Sequence, residues 1–183
     1  MERVKTNSTI RDMTVIGVFA AFLCIIAPWT IPVGPIPITL ATFAIYLASA
    51  VLGWKRGGAA AAVYLLLGFV GLPVFSGFAG GIQRLVGATG GYLLAYIPMS
   101  VVIGAFVDKF KKAWAFPVGM VIGTAVLYTF GTAWYCVLTG SKLIPAIMGC
   151  VVPFLLGDSI KIAAASALGV KLRAVVDRQL KRI

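Results

Sequence analysis

Long apolar runs, separated by short polar, glycine-rich or proline-rich segments, dominate this chain of 183 residues. A membrane-spanning helix needs about 20 mostly apolar residues, and six runs approach or reach that length. We predict spans over residues 13–27, 38–52, 57–71, 91–107, 116–138 and 153–172. The pattern therefore predicts an all-α integral membrane protein with six transmembrane helices, organised as a single membrane-embedded domain over residues 1–183.

Two connecting segments are more apolar than exposed loops usually are. Segment 28–37 carries no charge and contains four prolines, and segment 71–91 is rich in glycine with Arg84 as its only charge. Irregular backbone at membrane depth is tolerated only where it is buried in protein or lines a cavity. We therefore expect these outer loops to cap a ligand pocket, and we expect a short interfacial helix at residues 142–149.

Composition narrows the function classes. The chain is 61% hydrophobic and 11% charged, whereas a soluble domain carries about 25% charged residues. The six spans leave no room for a separate soluble domain, so any ATP hydrolysis would be carried out by a partner. The sequence contains no histidine, and its three cysteines are scattered through apolar segments, which disfavours a metal site or a disulfide framework. We therefore expect a protein that is not an enzyme and that holds no metal or other cofactor.

The net charge of +11 would suit a nucleic-acid-binding protein, but the positions of the basic residues give another explanation. When the loops are assigned alternately to the two sides, thirteen of the 16 lysines and arginines fall on one side, together with both termini. The remaining three are Arg84 and Lys142 on the other side and Lys161 inside a predicted span. Because basic loops stay in the cytoplasm, we predict cytoplasmic N- and C-termini. The basic residues then anchor the chain against membrane lipids, and no nucleic-acid partner is expected.

Asp158 and Lys161 are the candidate chemistry inside the membrane, in the predicted sixth span. An ionised side chain at the bilayer centre costs at least roughly 2.5–3.5 kcal/mol on insertion scales, and the spacing of three places both side chains on one helix face. Two interpretations stay open at this point. The pair either pins the helix in the bundle as a structural ion pair, or it offers polar groups to the head of a ligand.

Further candidates lie in the glycine-rich segment 71–91. Arg84 could capture an anionic group, because its guanidinium fits a carboxylate fork, and Gln83 adds an amide. Either side chain could equally be an ordinary solvent-facing or snorkelling residue. Gly90 and Gly91, just before Tyr92, would let a ligand approach the free N–H groups of a helix start, or they form a flexible turn. Together with the segment 75–81, which begins at Phe75, they suggest the wall of a pocket.

The first predicted helix carries small residues at a spacing of four. Gly17 and Ala21 form one pair, and Ala20 and Cys24 form a second pair. Such faces allow helices in membranes to approach closely. They serve either packing inside the bundle or docking onto another membrane protein.

Two segments together resemble the signature of the BioY family, the biotin-binding S components of energy-coupling factor (ECF) transporters. The first is GLPVFSGFAGG at 71–81 running into GATGGY at 87–92, and the second is VPFLLGDSIK at 152–161. The resemblance extends over nearly the whole chain. Ala88 and Leu156 occupy positions where family members often have proline, and neither change removes a polar group.

The resemblance implies a non-catalytic subunit that binds biotin with high affinity beneath its outer loops, for uptake across the cytoplasmic membrane of a prokaryote. A transmembrane T component, docked on the small-residue face of the first helix, and two ATPase subunits would complete the transporter. Asp158 and Lys161 would contact the polar end of the vitamin, and the segments 75–81 and 87–92 would enclose its rings. Arg84, on charge alone, is our candidate for the valerate carboxylate. Lys161 could serve that carboxylate instead, with Asp158 accepting from the ureido N–H groups.

An alternative function is a stand-alone, proton-coupled carrier of a small vitamin that bears a carboxylate, with Asp158 as the proton relay. A membrane enzyme acting on a lipid is a weaker alternative, because the chain has few groups for acid–base catalysis.

Overall fold

The structure of the protein is a computed structural model that describes residues 2–31 and 36–181. Within these residues the chain forms helices and one short antiparallel ribbon. The elements are α1 (Glu2–Ile26), β1 (Thr30–Ile31), β2 (Ile38–Thr39), α2 (Ala41–Phe69), α3 (Ile82–Val86), α4 (Gly90–Leu94), α5 (Tyr96–Phe110), α6 (Ala115–Thr139), α7 (Leu143–Cys150) and α8 (Val152–Lys181). The protein is therefore mostly helical, as the apolar pattern predicts.

Several helices are suited to cross a membrane. In the described part of the chain, the stretches Thr9–Ile26, Gly90–Phe110 and Ala115–Thr139 are long and apolar enough to do so. A fourth candidate combines α7 with most of α8, which meet at a bend of 42°. Length and composition therefore support three or four spanning segments directly, and α2 requires a separate argument.

Helix α2 is two antiparallel helices joined at Gly53. This glycine has φ 77° and ψ −177°, a conformation that side chains with a Cβ rarely adopt. A methyl group built on Gly57 would lie 2.9 Å from the Cα of Ser49. In a straight helix, residues eight positions apart are separated by about 12 Å along the axis. The chain therefore reverses at Gly53, which is where the sequence predicts the boundary between the second and third spans.

A polar cluster closes the tip of this hairpin. The break in the helix leaves the carbonyl of Ala50 and the N–H of Trp54 without helical partners, and such orphan groups need other partners when they are buried. Arg173 donates to the Ala50 carbonyl at 3.0 Å and also bonds to Asp108, whose other oxygen accepts from the Trp54 N–H at 3.0 Å. We call Ala50, Trp54, Asp108 and Arg173 the hairpin-tip cluster. It fastens α5 and α8 to the turn of α2.

The hairpin packs tightly because small residues line its contacts. Ser49 donates to Ser100 on α5 at 2.7 Å, and both side chains are fully buried. A methyl group on Gly104 would collide with the backbone of Gly53 and Trp54. Large buried side chains, among them Tyr46, Tyr64, Met99, Ile103 and Met120, fill the rest of the core.

The outer loops and the chain ends differ in detail from the prediction. Strands β1 and β2 pair Thr30 with Thr39 and Ile31 with Ile38, so part of the proline-rich loop is a ribbon. The middle of that loop, residues 32–35, lies outside the described residues. The glycine-rich segment includes the short helix α3, α4 begins the predicted fourth span, and α7 occupies the place of the predicted interfacial helix. Helices α1 and α8 extend beyond the predicted spans, since hydropathy marks the bilayer edge whereas Glu, Lys and Arg continue a helix readily.

Candidate functional site

A cavity lies at the end of the bundle where the ribbon, α3, α4 and the start of α8 meet. Its free volume is about 50 Å³, which is room for a few water molecules. Apolar and aromatic side chains form most of the wall, and a few polar ones point into it. The lining residues are Ile36, Pro37, Thr39, Thr42, Phe75, Ser76, Arg84, Thr89, Tyr92, Leu93, Tyr96, Leu127, Tyr128, Cys150, Phe154, Asp158 and Lys161.

Asp158 is the buried acid of this cavity, with 3% of its surface exposed. The hydroxyl of Tyr128 donates to its Oδ2 at 2.7 Å, and the hydroxyl of Thr42 donates to its Oδ1 at 3.2 Å. The ammonium of Lys161 donates to the same Oδ1 at 2.9 Å. A carboxylate offers about four acceptor positions, and three are used here. Asp158 is therefore fixed in orientation and keeps capacity for one more donor.

Lys161 uses its donors within the protein. Besides Asp158, its ammonium donates to the carbonyl of Thr39 at 2.8 Å and to the hydroxyl of Thr42 at 3.0 Å. An ammonium has three N–H groups, so these contacts occupy all of them. Thr39 in turn accepts from the N–H of Ala41 through its hydroxyl at 2.7 Å. Lys161 thereby connects α8 to the end of the ribbon and to the first turn of α2.

Aromatic rings form two walls of the cavity. Phe75 is 1% exposed and stands edge-on to Tyr64, with ring centroids 5.6 Å apart. Gly68 makes room for the Phe75 ring, because a methyl group at that position would overlap it. Gly131 makes room for the Tyr92 ring in the same way. The hydroxyl of Tyr92 is hydrogen-bonded to Thr132 at 3.0 Å. The positions of both rings are therefore fixed by their contacts.

Arg84 lies on α3 at the exposed rim of the cavity. Among the described residues, its guanidinium has no hydrogen bond or ion pair that would occupy it. Gln83 is exposed on the same short helix but does not line the cavity. Of the charged side chains at this site, Arg84 is thus the one whose donors are free for a ligand.

Gly90 and Gly91 are buried but do not line the cavity. A methyl group on Gly90 would collide with the carbonyl of Leu85, and one on Gly91 would collide with the side chain of Trp134. These glycines therefore let α4 pack closely against α3 and α6. The structure brings together five of the predicted ligand-binding residues, which are Asp158, Lys161, Arg84, Phe75 and Tyr92. It leaves Gln83, Gly90 and Gly91 outside the cavity surface.

Sequence reasoning missed Thr39, Thr42 and Tyr128, which orient the charged pair. Each is an uncharged polar residue within or beside an apolar run, and such residues are common in membrane helices. Thr42 and Asp158 are 116 positions apart in the chain, so no local pattern connects them. The available signal was only that each introduces a hydroxyl at a depth where polar groups need partners.

The small-residue pairs of α1 divide between surface and core. Gly17 and Ala21 are exposed, and a methyl group on Gly17 would meet nothing within 4 Å. Ala20 is 2% exposed and Cys24 is half-buried against the core. The expectation of a docking surface therefore fails for Ala20, because it already packs inside its own bundle. Gly17 and Ala21 remain on a free face.

Known proteins match this chain over nearly its whole length. The sequence profile of the BioY family matches residues 2–178. The biotin transporter BioY of Thermotoga maritima is 39% identical over 164 residues, covering 89% of this chain and 96% of that protein. The biotin transporter BioY2 of Lactococcus lactis subsp. cremoris is 34% identical over 168 residues, covering 91% and 92% of the two chains.

A solved structure agrees with the arrangement of the helices. The crystal structure of the S-component for biotin from an ECF-type ABC transporter superposes with a TM-score of 0.85. The match has 28% sequence identity and covers 92% of this chain and 93% of that one. Family profile, full-length relatives and superposed fold agree, and the chain belongs to the BioY family.

Proposed function

We propose that the protein captures biotin with high affinity in the outer cavity and serves as the specificity subunit of an ECF-type transporter. The relatives named as biotin transporters and the superposed biotin S-component support this function. The observation that carries it is the polarity of the cavity. It combines a buried carboxylate that is fixed by hydroxyl donors with a guanidinium at the rim whose donors are free.

Biotin has complementary polarity. Its bicyclic head presents two ureido N–H donors, and its apolar tail ends in a carboxylate. The free acceptor position of Asp158 suits a ureido N–H, and the guanidinium of Arg84 suits the tail carboxylate. Phe75 and Tyr92 supply the apolar surface that such ligands need. Lys161 acts mainly as a positioning residue, because its three donors are engaged by Thr39, Thr42 and Asp158.

The vitamin would enter the cavity past its rim. The rim is built from the ribbon and from the segment around Phe75, and the two are joined by the hydrogen bond from the N–H of Gly77 to the carbonyl of Pro28 at 2.9 Å. The exposed rings of Trp29 and Phe78 also pack edge to face, with their centroids 5.8 Å apart. Outward movement of these two segments is the simplest opening, because α-helical walls are held by core packing.

The membrane arrangement that fits this function has six passes. They are α1, the two halves of α2, α4 with α5, α6, and α7 with α8, forming one domain over residues 1–183. The distribution of basic residues supports cytoplasmic termini, in the membrane of a prokaryotic cell like those of the relatives. The chain itself catalyses no reaction, and a T component with two ATPase subunits supplies the energy for uptake. The free face of Gly17 and Ala21 is the docking surface for the T component.

Titration of the purified protein with biotin tests the binding function. Tryptophan fluorescence and calorimetry should both report saturable, sub-micromolar binding. Biotin methyl ester, which lacks the charged carboxylate, should bind more weakly because Arg84 loses its partner. Absence of saturable biotin binding by a folded, monodisperse protein would overturn the proposal.

Reconstitution separates the specificity subunit from the stand-alone carrier. A specificity subunit binds biotin but does not accumulate it in liposomes under a pH gradient without its partners. Asp158 already accepts from Tyr128, Thr42 and Lys161, which fits a fixed binding group. Accumulation driven by the gradient in protein-only liposomes would favour the carrier instead.

A further inference from the structure

A second cleft lies at the opposite end of the bundle, between the turn that joins α5 to α6 and the later part of α8. On α8, Arg173 of this cleft follows Lys161 of the cavity by twelve positions, which is about 18 Å along a helix. The free volume of this cleft is about 680 Å³. The lining residues are Val107, Asp108, Lys111, Lys112, Ala113, Phe116, Val170, Arg173, Ala174 and Asp177. We call this the basic-end cleft, because most of the basic residues of the chain lie at this end.

The cleft is amphipathic. Apolar side chains, including Val107, Phe116 and Val170, form its floor. Lys111 and Lys112 stand at its exposed rim. An apolar floor with a cationic rim is complementary to a molecule that has an anionic head and an apolar body.

The two acids in the cleft are already engaged. Asp108 bonds to Arg173 and to the N–H of Trp54 in the hairpin-tip cluster. Asp177 lies 3.7 Å from the guanidinium of the same arginine. Neither Lys111 nor Lys112 forms an ion pair within the part of the chain that the structure describes. One arginine serves both acids, so the three basic and two acidic residues of the cleft leave a net charge of +1, which the lysines supply.

The backbone turns sharply at the same place. Lys111 adopts φ 51° and ends α5, and α6 begins at Ala115. The first N–H groups of α6 are already engaged, since Ala115 donates to the carbonyl of Lys112 at 3.0 Å and Phe116 donates to the carbonyl of Ala113 at 3.3 Å. The attraction of the cleft for an anion therefore rests on the lysine side chains.

We propose that the basic-end cleft binds an anionic phospholipid, with its phosphate against Lys111 and Lys112 and an acyl chain along the apolar floor. Basic pockets between helices at the cytoplasmic side of membranes take lipid head groups of this kind. The site is separate from the biotin cavity, so it does not depend on biotin binding, although it rests on the membrane orientation proposed above. A bound lipid would cover the hairpin-tip cluster and stabilise the packing of α5, α6 and α8.

Native mass spectrometry of the purified full-length protein tests this site. The protein is released from nanodiscs that contain equal amounts of phosphatidylglycerol and phosphatidylcholine, and the retained lipid is counted. We expect the wild type to retain phosphatidylglycerol preferentially. The double variant Lys111→Asn, Lys112→Gln should lose that preference by about tenfold, since each lysine near an anionic surface contributes substantially to binding. Asparagine is chosen at position 111 because it tolerates a positive φ.

A second double variant, Lys55→Gln with Lys109→Gln, is the matched control. It removes two exposed lysines from the same end of the protein, and each of them stacks on an aromatic ring outside the cleft. It should retain phosphatidylglycerol like the wild type. Equal retention of both lipids by the wild type, or equal loss in both double variants, would overturn the proposal. Displacement by millimolar inorganic phosphate would also overturn it, because a site for free phosphate needs no acyl chain.

Discussion

The two ends of the bundle each carry an acid–base pair that joins α2 to α8, yet the pairs have different surroundings. At one end, Asp158 and Lys161 face the cavity, and hydroxyl groups from α2 and α6 orient the acid. At the other end, Asp108 and Arg173 satisfy backbone groups that the reversal at Gly53 leaves open. Similar chemistry therefore lines a cavity at one end and supports chain reversal at the other.

The difference teaches how an ion pair in a membrane protein can be assigned a role. A pair that satisfies backbone N–H and C=O groups is required by the fold, because those groups cannot stay unpaired when buried. A pair whose acid is held by side chains beside a cavity is free to respond to a ligand. Breaking the buried Asp158–Lys161 pair is costly, and breaking the half-buried Asp108–Arg173 pair leaves backbone groups without partners. The two roles must therefore be distinguished by binding as well as by stability.

The largest expected effect comes from Asp158→Asn. Loss of the carboxylate removes a charge-assisted acceptor for the ureido head, and biotin affinity should fall by about 100-fold, or about 2.7 kcal/mol. Calorimetry on purified protein measures the change. The matched variant Asp108→Asn should bind biotin within about twofold of the wild type. Equal losses of affinity in the two variants would contradict the assignment of different roles.

Arg173→Gln should destabilise the fold without changing the site. The Ala50 carbonyl and Asp108 lose their partner, and we expect a loss of about 1–3 kcal/mol in the free energy of unfolding. Thermal unfolding in detergent, followed by circular dichroism, measures it. Biotin binding to the folded variant should be unchanged. Unaltered thermal stability would show that the hairpin tip does not need this arginine.

Arg84→Gln should alter selectivity more than stability. Biotin affinity should fall about tenfold, whereas affinity for biotin methyl ester should stay the same, because the ester offers no carboxylate to the guanidinium. Competition against a fluorescent biotin derivative measures both values. The neighbouring variant Gln83→Ala is the control and should behave like the wild type. Parallel weakening for both ligands would indicate that Arg84 shapes the rim rather than recognising charge.

The smallest effect is expected for Tyr128→Phe. Asp158 loses one of its three donors, so affinity should fall about fivefold, in line with roughly 1 kcal/mol for one hydrogen bond. Tyr135→Phe, on the same helix but outside the cavity, is its control. A titration that finds Tyr128→Phe indistinguishable from this control would show that Thr42 and Lys161 suffice to orient the acid.

Hydropathy and charge predicted much of the fold because the bilayer imposes one requirement on every span. The reversal at residues 53–56 was visible as a glycine followed by two basic residues. The tightness of that reversal was not predictable, since it depends on Asp108 and Arg173 from distant helices. The helix α3 was also missed. It has five residues, too few to produce a periodic pattern in a glycine-rich segment.

The charged members of the site were predictable because charge is rare in this chain and expensive in hydrocarbon. Asp158, Lys161 and Arg84 stand out for that reason, and Phe75 and Tyr92 lie in the motif that resembles the family signature. Thr39 and Tyr128 could not be found in this way, because their importance arises only from hydrogen bonds to residues far along the chain. Gly90 and Gly91 were correctly singled out as special, but the structure gives them a packing role.

The reversal at Gly53 also bears on how the protein enters the membrane during synthesis. Helix α2 has 29 residues in all, with no linker between its two halves, so neither half can insert while the other waits in water. In the six-pass arrangement proposed above, the pair would pass from the translocon into lipid as one helical hairpin. The basic residues Lys55 and Arg56 at the tip would then stay on the proposed cytoplasmic side, as expected for a hairpin that enters with its loop held back.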